Sequence, residues 1–110
     1  MIYVTGPLFA GKQNCIRTML DLGDAEFEAC CVRDVQELTP CEDLEALADC
    51  LAQKRIVIQT ETGCGLIPMS PEERRKREQA GRLACLLAQR ADTVIRVCCG
   101  LPQLLKGEWP

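Results

Sequence analysis

The sequence predicts an α/β protein in which a small, mostly parallel sheet of about four strands lies between layers of helices. The chain has 110 residues, the length of a single domain spanning residues 1–110. Hydrophobic residues make up 47% of it, which is enough to form a core. Apolar runs with strand character alternate with segments of helical periodicity in the order β-α-β-α-β-α-β. This alternation implies parallel strands joined by right-handed crossovers.

The first half of the chain contributes two strands and two helices to this prediction. The apolar run Ile2–Val4 predicts a buried strand. A helix follows, and it is expected to end at Gly23. Its apolar stripe consists of Cys15, Ile16, Met19 and Leu20. Residues 27–32 predict a second strand. A second helix is expected to begin at Thr39-Pro40-Cys41-Glu42, which has the form of a capping box with proline at the first helical position.

The second half contributes two further strands and a long helix. Ile56–Ile58 predicts a third strand, apolar enough to be covered on both faces. A second capping box, Ser70-Pro71-Glu72-Glu73, predicts a helix that runs to about Arg90. Val94–Cys98 predicts the fourth strand. Residues 100–110 contain turn residues without a clear period, and no regular element is expected there.

Charge and composition exclude several classes of function. The formal charge of −3 argues against a surface that binds nucleic acid or an anionic membrane. No apolar run approaches the roughly 18 residues of a membrane span, and the first residues lack the pattern of a signal peptide. A cytoplasmic location is therefore expected. The absence of histidine excludes histidine-based triads, histidine metal ligands and phosphohistidine or nucleotidyl-histidine intermediates.

The nine cysteines are a high number for a chain of this length. An odd count does not favour a disulfide framework. No CxxC pair is present, and zinc sites usually depend on such close pairs, so no metal site is predicted. We expect most of the thiols to be small buried hydrophobic groups.

Residues Gly6–Lys12 match the pattern G-x-x-x-x-G-K between a predicted strand and a predicted helix. Glycines allow a backbone to wrap closely around phosphate oxygens, and the amides of a helix N-terminus direct partial positive charge at an anion. Lys12 can then reach the outer phosphates. The sequence therefore predicts a nucleotide phosphate site; the alternative is a glycine-containing turn with a solvated lysine. The predicted site comprises Gly6, Phe9, Ala10, Gly11, Lys12, Gln13 and Asn14.

One position departs from this motif. The residue after the lysine is normally Ser or Thr, whose hydroxyl binds Mg²⁺, but here it is Gln13. A glutamine amide oxygen can bind a hard cation, but the longer side chain does not put that oxygen in the same place. Phosphate binding is expected to survive the change, whereas a role for Mg²⁺ is placed in doubt.

Phosphoryl transfer also needs a carboxylate, either for Mg²⁺ or for the attacking hydroxyl. Glu61 follows the third strand and Asp34 follows the second, so both are expected at the ligand edge of the sheet. Together with Lys12 they are the candidate catalytic residues. The alternative for each acid is a surface carboxylate without a catalytic role. The basic run Arg74-Arg75-Lys76-Arg77 opens the long helix at the same edge, where it could clamp a phosphate. A solvated helix face is favoured over this alternative, because acidic residues precede its last two members at i,i+4 spacing.

Two blocks of the sequence together resemble a known family. The first is Ile2–Gly6 followed by Gly11-Lys12. The second is residues 56–68, which contain the loop Glu-x-Gly-x-Gly-x-x-Pro, and it continues through Ala80-Gly81-Arg82 and residues 88–97. In these segments the chain resembles the bifunctional adenosylcobinamide kinase / adenosylcobinamide-phosphate guanylyltransferase family of cobalamin biosynthesis.

This resemblance implies a P-loop NTPase-like, three-layer α/β/α fold and a homo-oligomer. Members of the family phosphorylate the aminopropanol hydroxyl of a corrinoid and then transfer GMP to that phosphate through a guanylylated histidine. By similarity, GTP or ATP would be the bound nucleotide and a corrinoid the second substrate. Gly6–Lys12 would hold the nucleotide phosphates, and Glu61 would occupy the acidic position that follows its strand.

The chain departs from the family in length, because it lacks a segment between the first helix and Arg55. The guanylyl-accepting histidine of the family lies in that segment, and this chain has no histidine, so guanylyl transfer by the family's route is not expected. Three hypotheses remain open. The protein is a nucleotide-binding protein with weak or absent transfer chemistry, an active corrinoid kinase, or a binding or scaffold subunit with a vestigial phosphate loop.

Overall fold

Five strands and four α-helices make up the part of the chain that the computed structural model describes, residues 1–61 and 70–110. In chain order they are β1 (Ile2–Gly6), α1 (Lys12–Leu20), α2 (Asp24–Cys30), β2 (Cys31–Val32), α3 (Leu44–Leu51), β3 (Ile56–Thr60), α4 (Pro71–Arg90), β4 (Thr93–Cys98) and β5 (Leu101–Lys106). A 3₁₀ helix, Val35–Leu38, lies between β2 and α3.

The strands form one sheet in the spatial order β2-β3-β1-β4-β5, and only β5 is antiparallel to its neighbour. The central strand is β1, in which Ile2 lies opposite both Ile56 of β3 and Thr93 of β4. The prediction of a small, mostly parallel sheet is confirmed, with five strands. The carboxyl ends of β1 to β4 share one edge, and open parallel sheets bind their ligands at that edge.

Helices cover both faces of the sheet. Side chains alternate along each strand, so the neighbouring residues Tyr3 and Val4 enter two different core clusters. The cluster around Tyr3 contains Leu87 of α4 and residues of α3. The cluster around Val4 contains Ile16 of α1 and Phe27 of α2. These two clusters give the three-layer α/β/α arrangement that the sequence predicts.

The long helix α4 begins and ends where the sequence predicts. The Ser70 hydroxyl accepts a hydrogen bond from the Glu73 amide (3.1 Å), and the helix runs to Arg90. Its buried residues, Ala80, Leu83 and Leu87, lie from the middle of the helix onward. Within residues 1–61 and 70–110, no helix is both long and apolar enough to cross a lipid bilayer.

The prediction of a strand over residues 27–32 is wrong for most of its length. Residues Asp24–Cys30 form α2, and only Cys31–Val32 pair with β3. The acidic residues Asp24 and Glu26 lie in the first turn of α2, where their negative charges interact favourably with the positive end of the helix dipole. Phe27 is the buried residue of this short helix. Its apolar side chain therefore marks the face on which the helix packs, and not a strand.

The second helix also begins later than predicted. Its N-cap is Asp43, whose side chain accepts a hydrogen bond from the Ala46 amide (3.1 Å), and α3 begins at Leu44. The Thr39 hydroxyl is not a cap, because it donates to the Gln36 carbonyl (2.7 Å). The first helix likewise ends earlier than predicted, since Asp21 adopts a left-handed conformation directly after Leu20.

Residues Leu101–Lys106 form β5, where the sequence predicted no regular element. The turn before it consists of Cys99 and Gly100, with φ angles of 53° and 73°. Two successive positive φ angles are typical of the type I′ turns that join tight hairpins. Because β5 is a mostly exposed edge strand, its sequence lacks the apolar alternation that marks a half-buried strand.

The cysteines are more exposed than predicted. Of the eight in the described residues, none is fully buried, and all have free thiols. Cys15, Cys30, Cys31 and Cys41 are half-buried, whereas Cys50, Cys85, Cys98 and Cys99 are exposed. Larger aliphatic and aromatic side chains fill most of the core instead, and Cys15, Cys30 and Cys31 pack against it. Burial still raises the pKa of the Cys31 thiol to about 11.

Tyr3 is expected to make stability depend on pH in the alkaline range. Its hydroxyl is buried and donates to Gln59 Oε1 (2.9 Å), and burial raises its pKa. A tyrosine in the unfolded chain ionises near pH 10, so the stability that neutral Tyr3 contributes is complete below about pH 10 and is lost as the pH rises further. In Tyr3→Phe this contribution should vanish, and the Gln59 acceptor left unsatisfied should cost about 1–3 kcal/mol at neutral pH.

Urea unfolding of both proteins between neutral pH and the alkaline range measures this effect. Tyr3 is the only tyrosine, so tyrosinate absorbance reports its ionisation alone. Identical pH profiles for the two proteins would contradict the prediction.

Candidate functional site

The loop between β1 and α1 has the backbone conformation of a tight, supported turn. Phe9 and Gly11 have positive φ angles of 61° and 81°. The Ala10 amide donates to the Pro7 carbonyl (3.3 Å), and the Gly100 amide donates to the Ala10 carbonyl (2.8 Å). This hydrogen bond connects the turn between β4 and β5 to the loop at Ala10.

The amides at the start of α1 are available to an anion. Gly11 is the N-cap and makes no side-chain cap hydrogen bond, and the first helical bond runs from the Cys15 amide to the Gly11 carbonyl (3.0 Å). The amides of Lys12, Gln13 and Asn14 therefore have no acceptor within the helix. Together with the helix dipole they direct partial positive charge at the space in front of the loop.

The Lys12 side chain folds over this loop. It is 7% exposed, and its Nζ donates to the Pro7 carbonyl (2.7 Å). An ammonium group has three donors, so this contact leaves two for a phosphate. Burial lowers the pKa of Lys12, whereas the negative charges of Asp34 and Glu61 act in the opposite direction.

A cavity of about 320 Å³ opens in front of the loop. Its size is at the lower end of the range for small-molecule sites, roughly 300–1,000 Å³. Six of the seven residues that the sequence assigns to the phosphate site line it; Gly6 lies behind them at the end of β1. The complete lining is Leu8, Phe9, Ala10, Gly11, Lys12, Gln13, Asn14, Asp34, Ile58 and Thr60.

Of the two candidate acids, Asp34 is the one that lines this cavity. Its Oδ1 lies 3.4 Å from the Thr60 hydroxyl and 3.5 Å from Gln36 Nε2. Gln36 is buried, and its Oε1 accepts a hydrogen bond from the Thr60 amide (3.0 Å). Gln36 therefore connects the end of β3 to Asp34, a role that no motif in the sequence indicated.

Glu61 lies at the same edge of the sheet but is held by an arginine. Its carboxylate accepts two hydrogen bonds from the Arg96 guanidinium, at 2.7 Å from Nε and 3.1 Å from Nη2. Its amide donates to the Gly6 carbonyl (2.8 Å), which fixes it beside the start of the loop. Glu61 therefore contributes charge near Lys12, and its catalytic role stays a prediction. The sequence analysis included Arg96 in the block that resembles the family but gave it no role, because it lies within a predicted strand.

The residues around Gln13 do not fit a bound Mg²⁺. Gln13 Oε1 is the atom that would replace the missing hydroxyl as a metal ligand, and it accepts a hydrogen bond from Arg33 Nη1 (3.0 Å). A divalent cation on this oxygen would lie close to a guanidinium, and the two positive charges would repel each other.

The basic run at the start of α4 does not line the cavity. The Lys76 ammonium lies 2.8 Å from the Glu37 carboxylate, so this part of α4 is tied to the 3₁₀ helix. Residues 62–69, which include Gly63-Cys64-Gly65 of the predicted loop, lie outside the described residues.

Comparison with known proteins confirms the resemblance to this family. The model of the CobU family, described as cobinamide kinase / cobinamide phosphate guanyltransferase, matches residues 2–105. The bifunctional adenosylcobalamin biosynthesis protein CobP of Pseudomonas aeruginosa is 39% identical over 67 residues. That match covers 58% of this chain and 39% of the relative, so the chain corresponds to well under half of the longer protein. Because the family model spans nearly the whole sequence, with the phosphate loop inside it, the chain belongs to the CobU family of cobinamide kinases / cobinamide phosphate guanyltransferases.

Proposed function

We propose that this protein binds GTP or ATP through the loop Gly6–Lys12 and acts in cobalamin biosynthesis, with guanylyl transfer lost and phosphoryl transfer weak or absent. The observation that carries the proposal is the arrangement around one cavity of the helix amides, the Lys12 ammonium and the Asp34 carboxylate. The first two groups attract an anionic polyphosphate. The Asp34 carboxylate lines the same cavity, where a hydroxyl acceptor could approach the end of the polyphosphate.

The loss of guanylyl transfer follows from the chemistry of the route that the resemblance implies. A guanylylated intermediate on histidine needs an imidazole nitrogen as the nucleophile that attacks the α-phosphorus of GTP. The chain contains no histidine in its 110 residues. Weak phosphoryl transfer follows from Gln13, because the position that normally supplies a metal-binding hydroxyl is occupied by a side chain bonded to Arg33.

Titration calorimetry of the full chain with GTP and with ATP tests this function. Each titration is run once with Mg²⁺ and once with a chelator. We expect binding of at least one nucleotide, with an affinity that changes little between the two conditions. No heat from either nucleotide in a folded sample would overturn the proposal and would favour the third hypothesis, a scaffold subunit with a vestigial loop.

A second candidate, an active corrinoid kinase, is favoured by the position of Asp34. Its carboxylate lines the cavity beside Lys12 and could accept the proton of an attacking hydroxyl. Lys12 would then stabilise the charge of the transferred phosphoryl group. A coupled assay with cobinamide and either nucleotide distinguishes the two candidates, since sustained turnover supports the kinase and zero turnover in a nucleotide-binding sample rejects it. Sedimentation of the same sample tests the proposed homo-oligomer.

A further inference from the structure

We propose that the Arg33 guanidinium supplies positive charge at the outer phosphates of the nucleotide. In phosphate loops in which Ser or Thr follows the lysine, a divalent cation supplies that charge. Binding of a nucleoside triphosphate is then independent of metal. This inference rests on the proposed function, because it concerns the same phosphate site. It assigns a role to a residue outside the loop motif.

The first observation is the contact between Arg33 and Gln13. Gln13 directly follows Lys12 at the first turn of α1, and it lines the cavity. Its amide oxygen is held 3.0 Å from Arg33 Nη1. A guanidinium thus already lies at the oxygen that would have to bind the metal. Gln13, which replaces the hydroxyl of the motif, and Arg33, which lies beside it, are therefore linked by a direct hydrogen bond.

The second observation is the position of Arg33 in the fold. It directly follows β2 at the ligand edge of the sheet, and it precedes Asp34, which lines the cavity. Its other terminal nitrogen, Nη2, lies 3.1 Å from the Glu28 carboxylate. Both partners are substantially exposed, at 38% and 60% of their side-chain surface. An exposed ion pair of this kind is weak, so the guanidinium can exchange Glu28 for a phosphate.

The third consideration is the chemistry of the two cations. A guanidinium presents donors in a planar fork that matches two oxygens of a phosphate, and it remains charged at any physiological pH. It neutralises the outer phosphates without the well-placed oxygen ligands that Mg²⁺ demands. Arg33 can therefore assist binding of a polyphosphate. A guanidinium carries one positive charge where Mg²⁺ carries two, so it stabilises less of the negative charge in phosphoryl transfer, which agrees with weak transfer chemistry.

Titration of GTP and ATP into wild type, Arg33→Gln and Arg55→Gln, with a chelator present, tests the inference. Arg55 is the matched control, because it is an exposed arginine that directly precedes β3, at the edge of the sheet opposite the phosphate loop. We expect Arg33→Gln to weaken triphosphate binding by about tenfold or more, the loss of one charge-assisted hydrogen bond. Arg55→Gln should change it by less than about threefold, as an exposed charge at longer range does. Binding of the corresponding nucleoside monophosphate should be the same in both variants.

A second variant, Gln13→Ser, tests the link between the two residues. It removes the amide that holds Arg33 and restores the hydroxyl of the motif, so Mg²⁺ should now increase its affinity for the triphosphate. Thermal melting of every variant establishes that it is folded, and Arg33→Lys, which keeps the charge, should recover part of the affinity.

Each other outcome overturns the inference. Equal losses in Arg33→Gln and Arg55→Gln would mean a general effect of net charge. Wild-type binding that requires Mg²⁺, or binding unaffected by Arg33→Gln, would reject the role of Arg33 and leave the proposed function intact. An absence of binding by wild type in every condition would reject both.

Discussion

Replacement of Lys12 by alanine is expected to weaken the binding of GTP or ATP by at least about 100-fold, because two charge-assisted hydrogen bonds to phosphate are lost at about 1.5–3 kcal/mol each. The Lys12 ammonium uses one donor on the Pro7 carbonyl and has two others for a ligand. The fold should survive, because removal of a buried ammonium also removes the free-energy cost of its desolvation. Calorimetry measures the affinity, and urea unfolding measures the stability of the variant.

Lys54→Ala is the matched control for this variant. Lys54 lies in the turn between α3 and β3 and is exposed, at the edge of the sheet opposite the phosphate loop. It removes the same charge from the molecule, so its effect on binding should be less than about twofold after screening by salt. If Lys12→Ala bound nucleotide as well as Lys54→Ala, the phosphate loop would not be the binding site.

The geometry of the loop Gly6–Lys12 was predictable because all of its parts are local in the sequence. A buried strand, a loop with two glycines and a helix that begins with lysine follow one another within Ile2–Leu20. Each part depends only on its neighbours in the chain, and right-handed crossovers then place the loop at the ligand edge. The same reasoning placed Asp34 at that edge, and the structure puts it in the lining of the cavity.

The partners of these residues were not predictable, because they come from distant parts of the chain. Arg33 reaches Gln13 across 20 positions, and Arg96 reaches Glu61 across 35. Arg33 belongs to no motif, and Arg96 lies in the block that resembles the family but carries no role there. Only the order of the strands brings them to the site, since β2 ends near the start of α1 and β4 lies beside β1. A sequence pattern specifies a phosphate loop, but it does not specify which charges surround it.

The wrong predictions of local structure share a cause. Residues 27–32 and the capping box at Thr39 have the right composition for the predicted elements, yet tertiary contacts determine their structure. Phe27 packs into the core from a short helix, and the Thr39 hydroxyl bonds to the Gln36 carbonyl. Short segments have weak intrinsic preferences, so packing decides between the alternatives.

Replacement of Gly6 by alanine is expected to cost about 3 kcal/mol of stability, the upper end of the range for an overpacked site. A Cβ atom at this position would lie 2.1 Å from the Val97 carbonyl oxygen. That oxygen belongs to the backbone of β4, so no side-chain rotation relieves the contact, and β1 and β4 must separate at their carboxyl ends. The Gly6 carbonyl also accepts the Glu61 amide (2.8 Å), so the displacement would reach the acid as well. Nucleotide affinity should fall together with stability.

Gly81→Ala is the control, and its effect should have the opposite sign. A Cβ atom at Gly81 would meet nothing within 4 Å, and the residue lies within α4 on its exposed side. Alanine should raise the free energy of unfolding there by roughly 0.5–1 kcal/mol, because glycine loses more conformational entropy in a helix. Urea unfolding measures the free energy of unfolding of the two variants. At Gly6 a close backbone contact requires glycine, whereas at Gly81 the helix would be more stable with alanine. If Gly6→Ala were as stable as wild type, β1 and β4 would not be as close at this edge as the site requires, and the phosphate loop would begin from a different position.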